Sequence, residues 1–567
     1  MFAANAQVAS GDYLDINNIK AKINSNGVLF TDSQSAQFEV PKGSGKNTIF
    51  TSGLWIGGFD YGGQLKMAGQ TYQQTGTDFF SGPIDPSGIY APAYNAAWNR
   101  VWKINKCAID VYHNWVVQGS AGVNPLLSGS AADSAALEVI MHWPAFDSIG
   151  QPIAPFVDVL NDGIYNPSTG DVPLIKGDQA IYFIYNDDRA AHTETGGAKL
   201  GVEIRGMAYA YSCSNNDALY NTIFTNYKII NKTPNRIDSV FIGNFTDFDI
   251  GYYNDDYIGS DVTRGAFYGY NGDSIDGSGQ SGQYGATPPA QAVVFLNGPF
   301  ADPNGVDDAA GLTPNGTNYG DGIIDNERLG MSKFISFNNN SNSINGEPVA
   351  AADYYKYSAG TWKNGTHLTY GGNGTTGSVP ASYLFPGNSD PNGYGTNMNP
   401  QQSWDETTAA ILPGDVIGIG ASGPFSFVPG AEEELDFAYV YGRATSGNNL
   451  ASVVVMKNRI DSVRQKFYTG IVGCSCTNTL AGIDSKIENK VNLFLYPNPA
   501  KDNISITYAT VSKNVPVEIF NATGELVKQT TIQSAQTIIS VADFAKGLYI
   551  LKIQDGTKIL SKKFLKE

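Results

Sequence analysis

Short apolar runs separated by glycine-rich turns dominate the first 470 residues of the chain. The clearest runs are 139–144, 179–185, 201–210, 222–230, 239–245 and 435–441. Their length and spacing are typical of the strands of a β-sandwich. Residues 270–405 are instead rich in Gly, Asn, Pro and Ser. We interpret this stretch as long loops that lie on the sandwich, not as a separate domain.

One segment, 450–468, has the periodicity of a helix. Its apolar residues recur every three or four positions, at Val453, Met456, Ile460, Val463 and Phe467. Asn448 or Asn449 can cap its start, and Gly470 follows its end. The pattern predicts one late helix that packs on the sandwich as the final element of a large β-rich extracellular region, 15–473.

A second, smaller set of strands is predicted at residues 493–567, after a polar linker at 474–492. Short alternating strands are separated by Asn-Pro, Thr-Gly, Lys-Gly and Asp-Gly turns, which predicts a small immunoglobulin-like β-sandwich. Three features stand out: Tyr496-Pro497-Asn498-Pro499, Gly547-Leu548-Tyr549 and a basic end at 562–566. An ordinary immunoglobulin-like appendage is the alternative.

These three features resemble the type A C-terminal sorting domain of cargo exported by the type IX secretion system of Bacteroidota. The resemblance implies a secreted or cell-surface location and contact with the type IX translocon and sorting machinery. It also implies cleavage within about 474–495, with the body left on anionic lipopolysaccharide or released. Phrases of the body such as Gly53-Leu54-Trp55-Ile56-Gly57-Gly58 resemble large, uncharacterised Bacteroidota surface proteins, which imply no catalytic residues.

Composition narrows the function classes. A chain of 567 residues is longer than a single hydrophobic core usually supports, so more than one domain is expected. A content of 42% hydrophobic residues predicts that these domains are folded. The net charge of −17 argues against nucleic acid, because phosphate binding needs clustered Lys and Arg. No apolar stretch is long enough to be a transmembrane segment. We interpret 1–14 as the remnant of a signal peptide and a lead-in, since Ala4-Asn5-Ala6 suits cleavage.

The four cysteines are predicted to be oxidised in an exported protein. They are Cys107, Cys213, Cys474 and Cys476, and the sequence leaves their three possible pairings open. A bridge within Cys474-x-Cys476 would close a small, strained ring, so we favour long-range bridges.

Acidic residues gather in three places that predict calcium, because calcium prefers hard oxygen ligands at alternate positions and a glycine turn. The candidate ligands of the first are Asp158, Asp162, the carbonyl of Ile164, and Asp171. Those of the second are Asp302, Asn304 and Asp308 with Asp321, Asp325 and Glu327, two stretches that can share an ion. Those of the third are Asp247, Asp249 and Asp255. A metal-free Asp-Gly turn is the alternative for the first.

The sequence gives weaker support for other kinds of functional site. No nucleophile elbow or paired-histidine motif is present, so we predict no catalytic residues and no organic cofactor. Asp-Ser-apolar triplets resemble the O-glycosylation signal of Bacteroidota at Ser134, Ser148, Ser239 and Ser274. The leading interpretation is a structural or adhesive surface protein that binds glycans, lipopolysaccharide or itself. The alternative is a secreted glycan-binding or glycan-hydrolysing protein, for which paired carboxylates near aromatics are the requirement.

Overall fold

The computed structural model describes most of the chain. The described residues are 9–471 except 33, 72–75, 121 and 128, then 473, 474, 493–496, 500–508, 515–521, 525–532, 536–555 and 558–566. Contacts divide the chain into two compact units, Met1–Asn478 and Thr479–Glu567. Among the described residues, no helix has the length and apolar character needed to cross a membrane.

The first unit is mainly β, as its sequence predicts. Its strands are β1 Gly11–Leu14, β2 Lys20–Asn24, β3 Phe38–Glu39, β4 Thr51–Asp60, β5 Leu65–Ala68, β6 Phe80–Ser81, β7 Trp102–Asn105, β8 Phe156–Val157, β9 Val172–Pro173, β10 Gln179–Asn186, β11 Val202–Ala210, β12 Thr222–Asn231, β13 Ile237–Phe248, β14 Asp256–Asp261, β15 Ala266–Asn271, β16 Ile275–Asp276, β17 Gly285–Ala286, β18 Ala290–Asn297, β19 Lys333–Phe337, β20 Val416–Phe427 and β21 Glu432–Gly442. Strand β1 begins inside the segment interpreted as a lead-in, because it pairs with β2.

Two antiparallel sheets form the sandwich. The larger has nine strands in the order β14-β15-β18-β21-β12-β11-β10-β6, with β7 also paired to β10, and the smaller has the order β19-β20-β13-β4-β5. Phe267 and Phe295 of the larger sheet pack against Gly420 of the smaller one, where an added Cβ would lie 2.8 Å from the Phe267 ring. The glycine therefore lets aromatic rings fill the space between the sheets.

Six helices accompany these sheets in the described part of the first unit. They are α1 Pro92–Trp98, α2 Lys106–Val117, α3 Ala131–Met141, α4 Asp217–Tyr220, α5 Ala351–Ser358 and α6 Asn449–Thr469. The predicted late helix corresponds to α6: the Asn448 side chain accepts the Ala451 N–H, and Met456, Ile460 and Val463 are buried. Helices α2, α3 and α6 cover the outer face of the nine-stranded sheet. The protein thus has a third, helical layer that the sequence interpretation lacks.

The strand predicted at 139–144 is wrong. Val139 and Ile140 belong to α3, and they are buried on one face of that helix. The Ser130 N–H donates to the Asp133 carboxylate at 2.8 Å, which closes the first turn, and the alanine-rich sequence that follows favours a helix. A short apolar run does not distinguish a strand from the buried face of a helix.

The loop-rich stretch 270–405 belongs to the first unit. It contains β18, β19 and α5, and α5 covers the outer face of the five-stranded sheet. There Trp55 stacks on Phe245, with ring centroids 5.4 Å apart, and meets Tyr354 of α5 edge-on.

A long-range disulfide joins the end of the first unit to its body. Cys213 and Cys474 are bonded, with their Cα atoms 5.3 Å apart and a sequence separation of 261. Cys107 is disulfide-bonded as well. Cys476 and the rest of the predicted linker, 475–492, lie outside the described residues.

The second unit is a small sandwich of two antiparallel sheets. Its strands are β22 Leu493–Tyr496, β23 Asn503–Tyr508, β24 Val515–Asn521, β25 Leu526–Ile532, β26 Gln536–Ser540, β27 Gly547–Asp555 and β28 Lys558–Lys566. The sheet orders are β22-β23-β26 and β25-β24-β27-β28. Val515, Val517 and Ile519 alternate with more exposed residues along β24 and are buried in the shared core. The predicted immunoglobulin-like sandwich is confirmed in its class.

Candidate metal centre

Three aspartates meet at one end of the five-stranded sheet because of strand register. In the antiparallel pair of β13 and β20, Asp247 lies opposite Ile417 and Phe248 opposite Val416. Asp249 follows the last paired residue of β13 and Asp415 precedes the first paired residue of β20, so this register brings the two strand ends together. Asp247 and Asp249 share a strand face with Phe245, since side chains alternate along a strand. That face is the one covered by α5.

The three carboxylates form a compact group, which we call the carboxylate cluster. One oxygen from each of Asp247, Asp249 and Asp415 lies within 4.8 Å of the others. Asp247 is only 4% exposed, and its Oδ1 is buried without a hydrogen-bond partner among the described residues. Asn339 donates to Asp415 Oδ2 at 2.6 Å. An unpartnered buried carboxylate oxygen is costly, which makes this atom the strongest sign of a ligand.

Burial and mutual repulsion shape the titration of the cluster. Burial raises the pKa of Asp247 well above its usual range, and the charges of Asp249 and Asp415 raise it further. Burial raises the pKa of Asp249 to about 7, with a further contribution from the charge of Asp415. The pKa of Asp415 is also raised by burial, which the hydrogen bond from Asn339 partly offsets. Without a counter-ion, burial and mutual repulsion therefore favour the protonated form of each acid.

The donor set fits a hard divalent cation. All three ligand atoms are carboxylate oxygens, and the group lacks the nitrogen and sulfur donors that structural zinc sites use. Calcium accepts an irregular set of oxygen ligands, whereas magnesium demands near-octahedral geometry. Asp247 Oδ1 and the excess negative charge are the two features that a calcium ion would satisfy.

The third predicted group is thus only partly assembled by the fold. Asp247 and Asp249 lie together, but Asp255 lies apart from them: its Oδ2 accepts the Gly277 N–H at 2.9 Å. The sequence interpretation missed Asp415. The sequence places Asp415 directly before β20 and Asp249 directly after β13, but the pairing of these two strands is a long-range feature that the sequence interpretation did not include.

The loop at 158–171 uses its carboxylates to hold its own backbone. Asp158 accepts the N–H groups of Asp162 and Gly163, and Asp162 accepts the N–H of Ile164. Asp171, 1% exposed, accepts Val159 N–H and Asn166 N–H, each at 2.8 Å. These hydrogen bonds are those of an Asp-Gly turn, and calcium at this loop stays a prediction. The side chain of Ile164 is exposed.

The two stretches of the second predicted group do lie side by side. Asp325 Oδ1 accepts the N–H groups of Asn304 and Gly305, and Glu327 accepts the Asp308 N–H at 2.6 Å. At the ends of the pair, Asp302 binds Ser426 and Asp321 binds the Ile323 N–H. These paired acidic loops bring no three carboxylate oxygens within 4.8 Å of one another in the described part of the chain. Calcium there stays a prediction.

Other predicted site residues have simple positions. The four candidate glycosylation sites are all exposed and therefore accessible: Ser134, Ser148, Ser239 and Ser274.

A second compact group, Asp178 with Cys213 and Cys474, is not a metal site because its two sulfurs are bonded to each other. Asp178 Oδ2 there accepts the Ser212 N–H at 2.8 Å.

Comparison with known proteins identifies one part of the chain. Residues 494–567 match the family described as "Secretion system C-terminal sorting domain". A funoran endo-beta-hydrolase of Wenyingzhuangia aestuarii is 36% identical over 81 residues, 14% of this chain and 11% of that protein. Beta-agarase A of Zobellia galactanivorans is 33% identical over 92 residues, 16% of this chain and 17% of that protein.

Among solved structures, a protein with an immunoglobulin-like β-sandwich fold from Bacteroides vulgatus is 26% identical. That match covers 14% of this chain and 96% of the other, with a TM-score of 0.12. The chain spans only about a tenth to a sixth of the length of the curated relatives it matches.

Proposed function

Since the chain is cargo of the type IX secretion system, exported across the outer membrane through its sorting domain at 494–567, we propose that its main body is a calcium-stabilised structural or adhesive component of the cell surface or extracellular matrix. The sorting domain contacts the secretion machinery. Cleavage within about 474–495 and attachment of the body to anionic lipopolysaccharide belong to the same proposal.

The observation that carries the proposal is the carboxylate cluster. Three acids with raised pKa values lie close together, and one of them has an unpartnered buried oxygen. A cation bound among them would neutralise their charges. Sites in extracellular proteins bind calcium with dissociation constants of about 10⁻⁴–10⁻³ M, which suits a protein that folds to its stable form only after export. The cluster lies under the segment that precedes α5, so the ion would fasten loops to the sandwich.

Thermal unfolding of the full chain tests the calcium part. Calcium at 100 times its dissociation constant is expected to raise the free energy of unfolding by about 2.7 kcal/mol, because it binds only the folded state. Asp415→Asn is expected to lose this gain. Asp110→Asn, which changes an exposed carboxylate paired with Lys106 on α2, is the matched control and should keep it. An identical melting temperature in calcium and in chelator would refute the proposed ion.

Self-association and fractionation test the structural part. We expect the protein in the surface or matrix fraction of the exporting cells, and calcium-dependent assemblies in sedimentation velocity runs. Mass spectrometry of the mature termini should locate the cleavage within about 474–495. A soluble monomer that releases sugars from a glycan would overturn this proposal in favour of the hydrolytic alternative.

Three aromatic residues of the main body give the hydrolytic alternative no support. Trp362, Tyr354 and Tyr357 are buried in the core, where they pack against neighbouring rings. They are therefore occupied by packing and not available to stack on a sugar.

A further inference from the structure

A cavity of about 240 Å³ lies among the loops between α5 and β20, apart from the carboxylate cluster. The residues that matter for its chemistry are Tyr370, Tyr383, Asn388, Gly395, Gln402 and Ser403. Sites for drug-sized ligands usually measure roughly 300–1,000 Å³. The cavity therefore suits a smaller guest, about the size of one sugar ring.

Two tyrosines form a fixed aromatic wall. The Tyr370 ring packs on Trp404 with centroids 4.9 Å apart, and its hydroxyl donates to the Gln402 carbonyl. The Tyr383 hydroxyl donates to the Met331 carbonyl at 2.7 Å. Gly395 leaves space beside the Tyr383 ring, since an added Cβ would lie 2.7 Å from it. With both hydroxyls bound within the protein, the rings present apolar surface to the cavity.

The rim is polar and neutral. The side chains of Asn388, Gln402 and Ser403 form no hydrogen bond with any residue that the structure describes. The one carboxylate in the lining, Asp390, is committed to the N–H groups of Tyr394 and Gly395 at 2.8 and 2.7 Å. No Lys, Arg or His lines the cavity. The rim thus offers neutral donors and acceptors and no cation for a phosphate or carboxylate.

The loops that carry the rim are braced against one another. Gly387 N–H donates to the Trp404 carbonyl at 2.8 Å, and Trp404 Nε1 donates to the Gly372 carbonyl at 3.0 Å. Trp404 itself is only 3% exposed and packs on Phe385. Binding therefore requires little ordering of the loops, which lowers its entropic cost.

We propose that this cavity binds one neutral pyranose unit of a glycan. A pyranose has an apolar C–H face that matches an aromatic wall, and hydroxyls around its edge that match amide and serine side chains. A nucleotide or phosphorylated ligand would lack a basic partner, and a metal ion would find only one carboxylate, already bound. The proposal goes beyond the calcium-stabilised role and does not depend on it.

Saturation-transfer difference NMR on the full chain tests this site. The probes are glucose, galactose, mannose and N-acetylglucosamine at millimolar concentration, with galacturonate and glucose 6-phosphate as charged comparators. We expect at least one neutral sugar to bind and the charged sugars to bind more weakly. Binding by charged sugars alone, or by none, would overturn the proposal.

Variants locate the binding. Tyr370→Ala should weaken the affinity about tenfold or more, and Asn388→Ala or Gln402→Ala about threefold to tenfold. Asn388 and Gln402 are exposed, so their variants should keep the wild-type melting temperature even if Tyr370→Ala does not. Tyr61→Ala removes a tyrosine that is 97% exposed elsewhere and should leave binding unchanged. Equal affinity in the wild type and in all three cavity variants would place the sugar elsewhere and refute the site.

Discussion

Two buried aspartates in the main body have opposite surroundings. Asp171 is 1% exposed, and each of its carboxylate oxygens accepts a backbone N–H at 2.8 Å. Asp247 is 4% exposed, yet its Oδ1 has no partner among the described residues and two further aspartates lie beside it. The first carboxylate is neutralised by peptide dipoles of its own loop. The second needs either a proton or a cation.

The comparison shows that clusters of acidic residues in a sequence can have two different structural roles. Asp158, five residues before Gly163, holds a tight turn through local hydrogen bonds, and Asp325 binds the backbone N–H groups of a neighbouring loop. Acids that follow a buried strand are gathered by long-range pairing and repel one another. Only the second arrangement creates a strong demand for a counter-ion, although both look alike as clusters of Asp.

The largest expected effect is on Asp171. Asp171→Ala should lower the free energy of unfolding by about 3–5 kcal/mol, because two hydrogen bonds to a charged acceptor are lost and two N–H groups stay buried. The loss should be the same in calcium and in chelator, measured by denaturant unfolding at pH 7. Asp171→Asn should cost less, since its amide oxygen still accepts a hydrogen bond. A calcium-dependent loss would instead support the prediction that Asp171 is a calcium ligand.

Asp247→Asn should act in the opposite direction. In chelator at pH 8, the variant should match or exceed the wild type, by up to about 1–2 kcal/mol, because it removes a carboxyl group that folding must either bury as a charge beside like charges or protonate far above its ordinary pKa. In saturating calcium the order should reverse, since only the wild type gains the free energy of ion binding, about 2.7 kcal/mol at 100 times the dissociation constant. A variant less stable than the wild type in both conditions would argue for a purely structural role.

The pH dependence follows from the same carboxylates. Because the folded-state pKa of Asp249 is about 7 against an ordinary 3.8, the folded protein binds more protons than the unfolded chain between these values. Stability in chelator should therefore be highest near pH 4 and fall as the pH rises through 7, by at most about 1.4 kcal/mol per pH unit for this group. Calcium should flatten or reverse that fall.

Urea unfolding at a series of pH values measures this slope. Asp256 and Glu406, whose pKa values are raised well above normal by burial, contribute with the same sign. The informative quantity is thus the difference between the wild type and Asp249→Asn, which should have the shallower slope in chelator. Equal slopes would remove Asp249 from the explanation.

The smallest effect is expected in the paired acidic loops. Asp325 is exposed, has a positive φ of 58° and accepts two backbone N–H groups. Asp325→Asn keeps the tolerance for that backbone conformation and loses only charge, so it should cost about 0.5–1.5 kcal/mol in chelator. Thermal unfolding monitored by circular dichroism measures it. A loss several times larger, seen only in calcium, would instead support an ion shared by the two loops.

Local patterns foresaw the fold better than the site. The alternating strands, the α6 helix with its Asn448 cap, and the small C-terminal sandwich all follow from periodicity and turn residues. The α3 helix did not follow from these patterns, because a short apolar run such as Val139-Ile140-Met141 fits either a strand or a helix.

The sequence predicted only two of the three residues of the carboxylate cluster, because local patterns do not show which strands pair. Asp247 and Asp249 lie two positions apart in sequence, whereas Asp415 joins them only through the register of β13 and β20, which no local signal contains. The neighbouring Asp255 was grouped with them wrongly because the chain turns away after β13 and commits that side chain to Gly277.

Calcium titration by isothermal calorimetry tests the central claim most directly. At pH 7.5, we predict that the full wild-type chain binds one more equivalent of calcium than Asp415→Asn does, and that Asp110→Asn binds the same number as the wild type. Identical stoichiometry and affinity in the wild type and in Asp415→Asn would contradict an ion held by Asp247, Asp249 and Asp415.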